Sequence, residues 1–393
     1  MEITTRQLEG EEMLETLYAL NSYSLHPSPP FQNKEEWMGI VRERKGMTCF
    51  AIFEGETPVS IAVSTPMTQN MRGKLYPASG VWGVSTAPSA RRKGYCRHAM
   101  ARLFSADRES GKAFSNLYPF RESFYERMGY VSFPLTKIAR LATQSLAPLL
   151  KMDLDGELRI QYIREAYDTY REYLAEMRQH RHGMAFFDFG DRGRANQNIL
   201  WTALAEFQGK IEGLMLFRIL GEEVTKYNFA AYRFYYQTSR ARYLMLQWIA
   251  RHIDQADRAE IWLSDDEYPE TWLTDLQVKL EATVRPAMSR VLDIEKMGGM
   301  RVGNGSFSAK IVDPLCPWNE GGWRFEAGDG KLAVSRSEKV DCELTIQGLS
   351  ALVGGIHDPQ DIPLRYWGSL DAKIQPILCE MFPRMSPFMH EMF

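Results

Sequence analysis

Between Val84 and Arg97 the chain reads VSTAPSARRKGYCR. The preceding apolar run, GVWGVSTAP, predicts a short strand that ends at Pro88. The following stretch, HAMARLFSADRES, predicts an amphipathic helix stopped by Gly111. Three cations, Arg91, Arg92 and Lys93, and one glycine, Gly94, therefore fall between the end of a strand and the start of a helix. Amide N–H groups at a helix N-terminus are unpaired, and the helix dipole adds partial positive charge there. Cations beside them suit a diphosphate, and Gly94 lets backbone approach it with no Cβ in the way. A solvated basic turn is the competing reading of the same residues.

Other stretches carry less chemistry. HRHG, His180 to Gly183, places two histidines two apart with no further ligand cluster in view, so it reads as a contact and not a metal site. YRFYYQTSRARY combines aromatics and arginines, as single-strand nucleic-acid surfaces do, but also reads as a strand, a turn and a helix start. A formal net charge of -3 leaves no basic footprint for nucleic acid. The five cysteines, Cys49, Cys96, Cys316, Cys342 and Cys379, lie far apart without a CxxC pair, which argues against a zinc site or a disulfide framework. No uncharged apolar run reaches bilayer length, and the acidic N-terminal stretch lacks the layout of a signal peptide. A reducing cytoplasm is the expected home.

With 393 residues, 45% hydrophobic and 25% charged, the chain is expected to build more than one globular core. Met13, Leu14, Leu17 and Leu20 recur at helical spacing. MTCFAIFEGETPVSIAVSTPMTQN predicts a hairpin about Glu54-Gly55-Glu56. AFSNLYPF predicts a further strand, and RESFYERMGY a short helix ended by Gly129. The strand, loop, helix, strand, helix order predicts an α/β or α+β fold. MDLDGEL marks a boundary; past it, strands followed by an apolar helix repeat the order of the first third without its basic glycine loop. After Pro286, strands with Gly and Asp-Gly turns lead to a helical stretch and the tail MSPFMHEMF, whose apolar residues should anchor it. The expected division is 1–150, 151–285 and 286–393.

Arg91-x-x-Gly94-x-Cys96 after a strand resembles the acetyl-CoA motif of the GCN5-related N-acetyltransferases (GNAT), with cysteine where glycine or alanine is usual. FYERMGY resembles the closing helix of the same fold. WRFEAGDGKLAV and CELTIQGLSALVGG resemble a sterol-carrier fold, and the whole chain resembles the enhanced-intracellular-survival (Eis) type: a GNAT domain, a degenerate GNAT-like domain and a sterol-carrier-like domain.

That resemblance implies an acetyl-CoA-dependent N-acetyltransferase acting on primary amines, without a metal. It implies that Val84, Ser85 and Thr86 meet the pantetheine arm. It implies that Arg91, Arg92, Lys93, Gly94, Tyr95, Cys96 and Arg97 meet the pyrophosphate, and that Phe120 and Arg121 also meet CoA. Tyr125 matches the general acid; a phenol can protonate a leaving thiolate. The carboxylate of the last residue, Phe393, matches the base or an anionic binding group. Trp37 matches an aromatic substrate contact. Aminoglycosides, polyamines and lysine side chains are the implied acceptors, and a homo-hexamer the implied assembly. A lipid-binding module, with the GNAT parts as scaffold, is the alternative.

Overall fold

The computed structural model describes residues 2–26, 33–190, 195 and 199–393. The fold is mixed α/β with three sheets, of eight, seven and five strands. In the first, β1 (Ile3–Gln7), β2 (Thr48–Glu54), β3 (Thr57–Met71), β4 (Lys74–Thr86) and β5 (Phe114–Leu117) lie side by side in sequence order. Strand Met288–Val291 comes next, followed by β6 (Val131–Ser132). β3 is long enough to pair with β2 through its first half and with Ala185–Phe187 through its second. The strands are antiparallel except β4 and β5, which run parallel. Helix α3 (Tyr95–Glu109) connects those two, as a parallel pair requires.

Each face of this sheet is covered by the apolar stripe of a helix. On one, Leu14 and Leu17 of α1 (Gly10–Ser24) and Met38 and Val41 of α2 (Lys34–Arg42) pack on Ile61 and Val63. The helical spacing of Met13, Leu14, Leu17 and Leu20 is thus a buried face. On the other, Met100, Leu103 and Phe104 of α3 pack on Ile52, Val81 and Leu117 beside α4 (Glu122–Glu126).

The chain forms two compact units, one of Met1–Pro134, Arg178–Asp191 and Arg285–Phe393, the other of Leu135–Met177 and Arg192–Val284. The boundary expected at 150 falls at Pro134, the one expected at 285 falls at Val284, and the first and last parts belong to one unit. Lys137–Ala142, expected in the first unit, pairs with Ala256–Leu263 in the second. Met288–Val291, expected in the last third, fills the place between β5 and β6. One apolar cluster runs from Met67, Tyr76 and Phe114 of the first sheet to Phe307, Phe325 and Leu352 of the C-terminal region, so those parts share a core. Apolar periodicity reveals that a segment is a strand but not which sheet it joins.

The second unit repeats the first sheet's plan. Parallel strands Tyr227–Tyr236 and Ala256–Leu263 are joined by helix Ser239–Ala250. Its helix start is already satisfied from within: Thr238 accepts from Ala241 N, and the Glu212 carboxylate takes the Thr238 hydroxyl at 2.7 Å and the Arg240 Nε at 2.8 Å. An anion at this helix N-terminus occupies the position a phosphate would need.

Within the first unit, the β3–β4 turn is tied to the C-terminal region by a buried polar knot. Arg72, 1% exposed, donates through Nε to Val353 O at 2.9 Å and through Nη2 to Leu352 O at 2.8 Å and Pro383 O at 3.0 Å. It thereby caps the C-terminal end of helix Ile346–Gly354, where a cation is favoured. His182 Nδ1 accepts from Arg72 N at 3.0 Å, and its Nε2 lies 3.0 Å from Gly354 O, so the ring sits neutral as a donor there. The second histidine of His-Arg-His-Gly is therefore a packing residue. Burial pushes its pKa down to about 4, with Arg72 and Arg181 adding to the effect.

That depression has a measurable sign. Between pH 6.5 and 4 an unfolded chain binds a proton at this histidine and the folded chain does not. Stability is expected to fall as pH drops through this window, by about 3 kcal/mol from this group. His182→Gln preserves one acceptor and one donor. It should flatten the pH dependence of urea midpoints between pH 6.5 and 4 relative to the parent; an unchanged difference between the two pH values would sink the assignment.

Candidate active site

β4 and β5 hold register from Ala78↔Phe114 to Val81↔Leu117 and then part. Against β3, β4 shifts register between Ile61 and Val63, and its last residues Ser85 and Thr86 stay paired with β3 alone. The wedge so opened leads into a cleft of about 800 Å³. Val84, Ser85 and Thr86 line it from β4, Phe120 and Arg121 from the segment after β5, and Arg91, Arg92, Gly94, Tyr95, Cys96 and Arg97 from the basic loop and the start of α3. Thus the cleft collects every residue expected to meet acetyl-CoA except Lys93. That side chain turns to Glu54, 2.7 Å from its carboxylate, which also accepts from the Tyr95 hydroxyl at 2.7 Å. These two partners hold the Glu54 carboxyl below the usual carboxylate range.

The basic loop is shaped for close backbone approach. Gly94, at the N-cap of α3, has φ +84°, and no side chain caps the helix. The first-turn N–H groups are thereby left without the side-chain acceptor that Thr238 supplies in the second unit. A Cβ at Gly94 would meet nothing within 4 Å, so the glycine serves the conformation and the open space, not protein packing. Cys96, in the first turn, has its thiol pushed up to about 12 by burial. It stays protonated at neutral pH and is a poor nucleophile.

Tyr125 sits on α4, 5% exposed, directly behind the lining. Its ring meets Phe124 at 5.1 Å, Phe120 at 5.9 Å and Tyr130 at 6.1 Å, all edge-on. Burial raises its phenol well above the usual tyrosine range, with Cys96 contributing, so the proton is retained at neutral pH. Phe124 and Met128, on either side of it in sequence, line the cleft.

The tail approaches from the opposite face of the sheet. Phe388 N donates to His182 O at 2.9 Å and Glu391 N to Ala185 O at 3.1 Å, so the tail runs beside the segment that pairs with β3. The Phe393 ring lies 5.6 Å from Tyr118 and 5.2 Å from Phe187. It also covers Gly80, where a Cβ would come within 3.1 Å of it. Gly80 is one residue short of the last β4–β5 pair, so the ring sits where the two strands separate. Tyr118, against Phe393, and Phe120, against Tyr125, belong to one short segment after β5. Trp37 is not among the residues lining the cleft; it packs edge-on to Tyr18 at 5.5 Å beside the α1–α2 core. Trp82 on β4 donates to Thr65 Oγ1 at 2.8 Å, and the Arg44 guanidinium lies 4.2 Å over its ring.

Several lining residues had no signal in the sequence. Ser24 and Leu25 come from the end of α1, and Arg127 and Met128 follow Tyr125. Of these, only Arg127 was open to discovery, as a cation inside the FYERMGY stretch.

Comparison with known proteins agrees with this geometry. Residues 4–132 match the acetyltransferase (GNAT) domain, and residues 294–389 match the sterol carrier protein domain. No curated protein matches the chain in sequence. A probable N-acyltransferase from Enterococcus faecalis V583 shares the fold with a TM-score of 0.84 at 18% identity, over 100% of both chains. A GCN5-related N-acetyltransferase from Anabaena variabilis gives 0.83 at 18% identity, over 98% of this chain and 99% of that one. Eis1 from Mycobacterium abscessus gives 0.77 at 14% identity, again over 100% of both. At such identities the likeness is one of fold, and it extends end to end. The chain is an acyltransferase with a GNAT acetyltransferase domain and a C-terminal sterol carrier protein domain, in the fold that it shares with Eis1.

Proposed function

We propose that this protein transfers the acetyl group of acetyl-CoA directly to a primary amine. The observation that carries the reading is the cleft at the parting of β4 and β5, which gathers an uncapped helix start, Gly94, two arginines of the basic loop and Arg97 of α3 beside Val84–Thr86. The helix start, with Arg91, Arg92 and Arg97, would hold the pyrophosphate, and the free edge of Val84–Thr86 the pantetheine amides. The thioester would then reach the level at which Tyr125 and Phe393 flank the sheet.

In the reaction the amine nitrogen attacks the thioester carbonyl carbon, the C–N bond forms and the C–S bond breaks. Tyr125, protonated at neutral pH as a phenol, gives its proton to the departing thiolate. The nitrogen loses its proton to the Phe393 carboxylate, directly or through a water. That carboxylate also attracts a cationic acceptor whatever its basicity. The protonated Cys96 thiol favours direct attack over an acyl-cysteine intermediate. Aminoglycosides, polyamines and lysine side chains are the acceptor classes proposed.

Acetyl-CoA incubated with the protein and a panel of these amines should release free thiol above background for at least one class. No release with any amine, in protein that binds acetyl-CoA by calorimetry, would overturn the reading.

A further inference from the structure

The helix that carries Tyr125 is only five residues long, Glu122–Glu126, and cannot hold its own shape by length. Its C-terminal carbonyls accept first from the turn that follows, Tyr125 O from Met128 N at 2.8 Å and Glu126 O from Gly129 N at 2.9 Å, and Glu126 O takes a second donor from far along the chain. Gln347 Nε2, on the first turn of helix Ile346–Gly354, donates to Glu126 O at 2.7 Å. Arg290, fully buried on strand Met288–Val291, donates through Nη1 to Met128 O in the turn that follows. Gly129 makes room for this contact: its φ is +94°, and a Cβ there would lie 2.8 Å from Arg290 Nη1 and 2.8 Å from Ile346 Cγ2.

The donors are themselves fixed. Arg290 Nη2 is 2.5 Å from Asp313 Oδ2, which Asn319 also holds at 2.9 Å, and the guanidinium lies 4.7 Å over the Phe104 ring. The Glu126 side chain takes the Trp367 indole N–H at 3.0 Å. Residues on either side of Tyr125's helix end are thus gripped by groups of the C-terminal region and of the strand leading into it.

We propose that the C-terminal region acts as a clamp on the acid helix, with Gln347 and Arg290 as positioning residues for Tyr125. The inference rests on the reading of Tyr125 as the proton donor. It assigns the sterol carrier domain a part in acetyl transfer that needs no lipid: its residues fix the angle at which the phenol meets the leaving sulfur. Small errors in such an angle are costly, because the donor must be in place when the C–S bond breaks.

Gln347 is half-buried, so Gln347→Ala removes one grip with little risk to folding. Arg290 is removed together with its charge partner, as Arg290→Met with Asp313→Asn, so that no buried charge is left alone. Gln347→Ala is expected to lower kcat about tenfold and the double change about a hundredfold, with the Kd for acetyl-CoA within about twofold of the parent. In a Tyr125→Phe background each change should lower kcat by less than about twofold, since the group being positioned is gone. A purely structural role would keep its full effect in that background.

Unchanged kcat in both variants would overturn the clamp, and so would a full further loss on top of Tyr125→Phe. If the double change fails to fold, Gln347→Ala carries the test alone. If Tyr125→Phe by itself retains turnover, the proton-donor reading has failed, a result that is separate from any failure of the clamp.

Discussion

Tyr125→Phe is expected to lower kcat about a hundredfold or more while leaving the Kd for acetyl-CoA within about twofold. The change deletes one oxygen and keeps the ring. Contacts with Phe120, Phe124 and Tyr130 are edge contacts between rings, so Phe retains them and the fold around α4 persists. Removing a hydroxyl from so buried a site also removes a desolvated polar atom, so stability should be unchanged or slightly raised. The loss therefore belongs to chemistry. Without a donor the sulfur must leave as a bare thiolate or wait for a water. Steady-state kinetics with saturating amine, beside calorimetric binding of acetyl-CoA, separates the two quantities. Turnover within about threefold of the parent would show that Tyr125 is packing alone.

The lining of the β4–α3 cleft was legible in the sequence because it is nearly contiguous. The strand end Val84–Thr86, the basic loop and the first turn of α3 lie within fourteen consecutive residues, and local rules for strand ends, helix starts and glycine govern all of them. What escaped was long-range. Lys93 reads as one more cation of the loop, and only the fold brings Glu54, on β2, within 2.7 Å of it. Strand Met288–Val291 is recognisable as a strand, but nothing local says that it inserts between β5 and β6. Arg72 carries no local signal, yet its guanidinium is buried against three carbonyls of the C-terminal region. Trp37, which the resemblance matched to a substrate contact, packs edge-on against Tyr18 of α1, a contact that no local pattern announces.

These long-range contacts share one consequence. Arg72 with His182, Arg290 with Asp313, and Gln347 all join the first sheet to the C-terminal region within a single compact unit. The elements that carry the two proposed reacting groups are then held from two directions, α4 by Gln347 and Arg290, and the tail by Arg72 at Pro383 O. Apolar residues of the C-terminal region, such as Phe307 and Phe325, lie in the same core as Phe114 and Tyr76 of the sheet. A change in that region should therefore be felt in turnover before it is felt in acetyl-CoA binding, because the cleft lining itself comes from α1, β4, the basic loop, α3 and the residues from Phe120 to Met128.

Two variants at Phe393 divide its ring from its carboxylate. Adding one alanine after Phe393 is expected to lower kcat about a hundredfold, with acetyl-CoA binding and thermal midpoint nearly unchanged. Phe393→Ala is expected to cost less in kcat, about tenfold, and to lower the thermal midpoint by a few degrees. The ring is partly buried against Tyr118, Phe187 and Gly80, so its loss leaves a gap where β4 and β5 part. The tail stays anchored in both variants by Phe388 N on His182 O and Glu391 N on Ala185 O, and Glu391 keeps its carboxylate on Phe187 N at 3.2 Å. In the extended variant the ring can remain seated, but the charge moves on by one residue, roughly 3.5 Å along an extended chain. A carboxylate that accepts a proton from the attacking amine, or draws the ammonium form into place, does not tolerate that displacement. A seated ring with no charge beside it would then bind acetyl-CoA and fail to turn it over. Full turnover by the extended protein would assign Phe393 to packing and leave proton removal to another group.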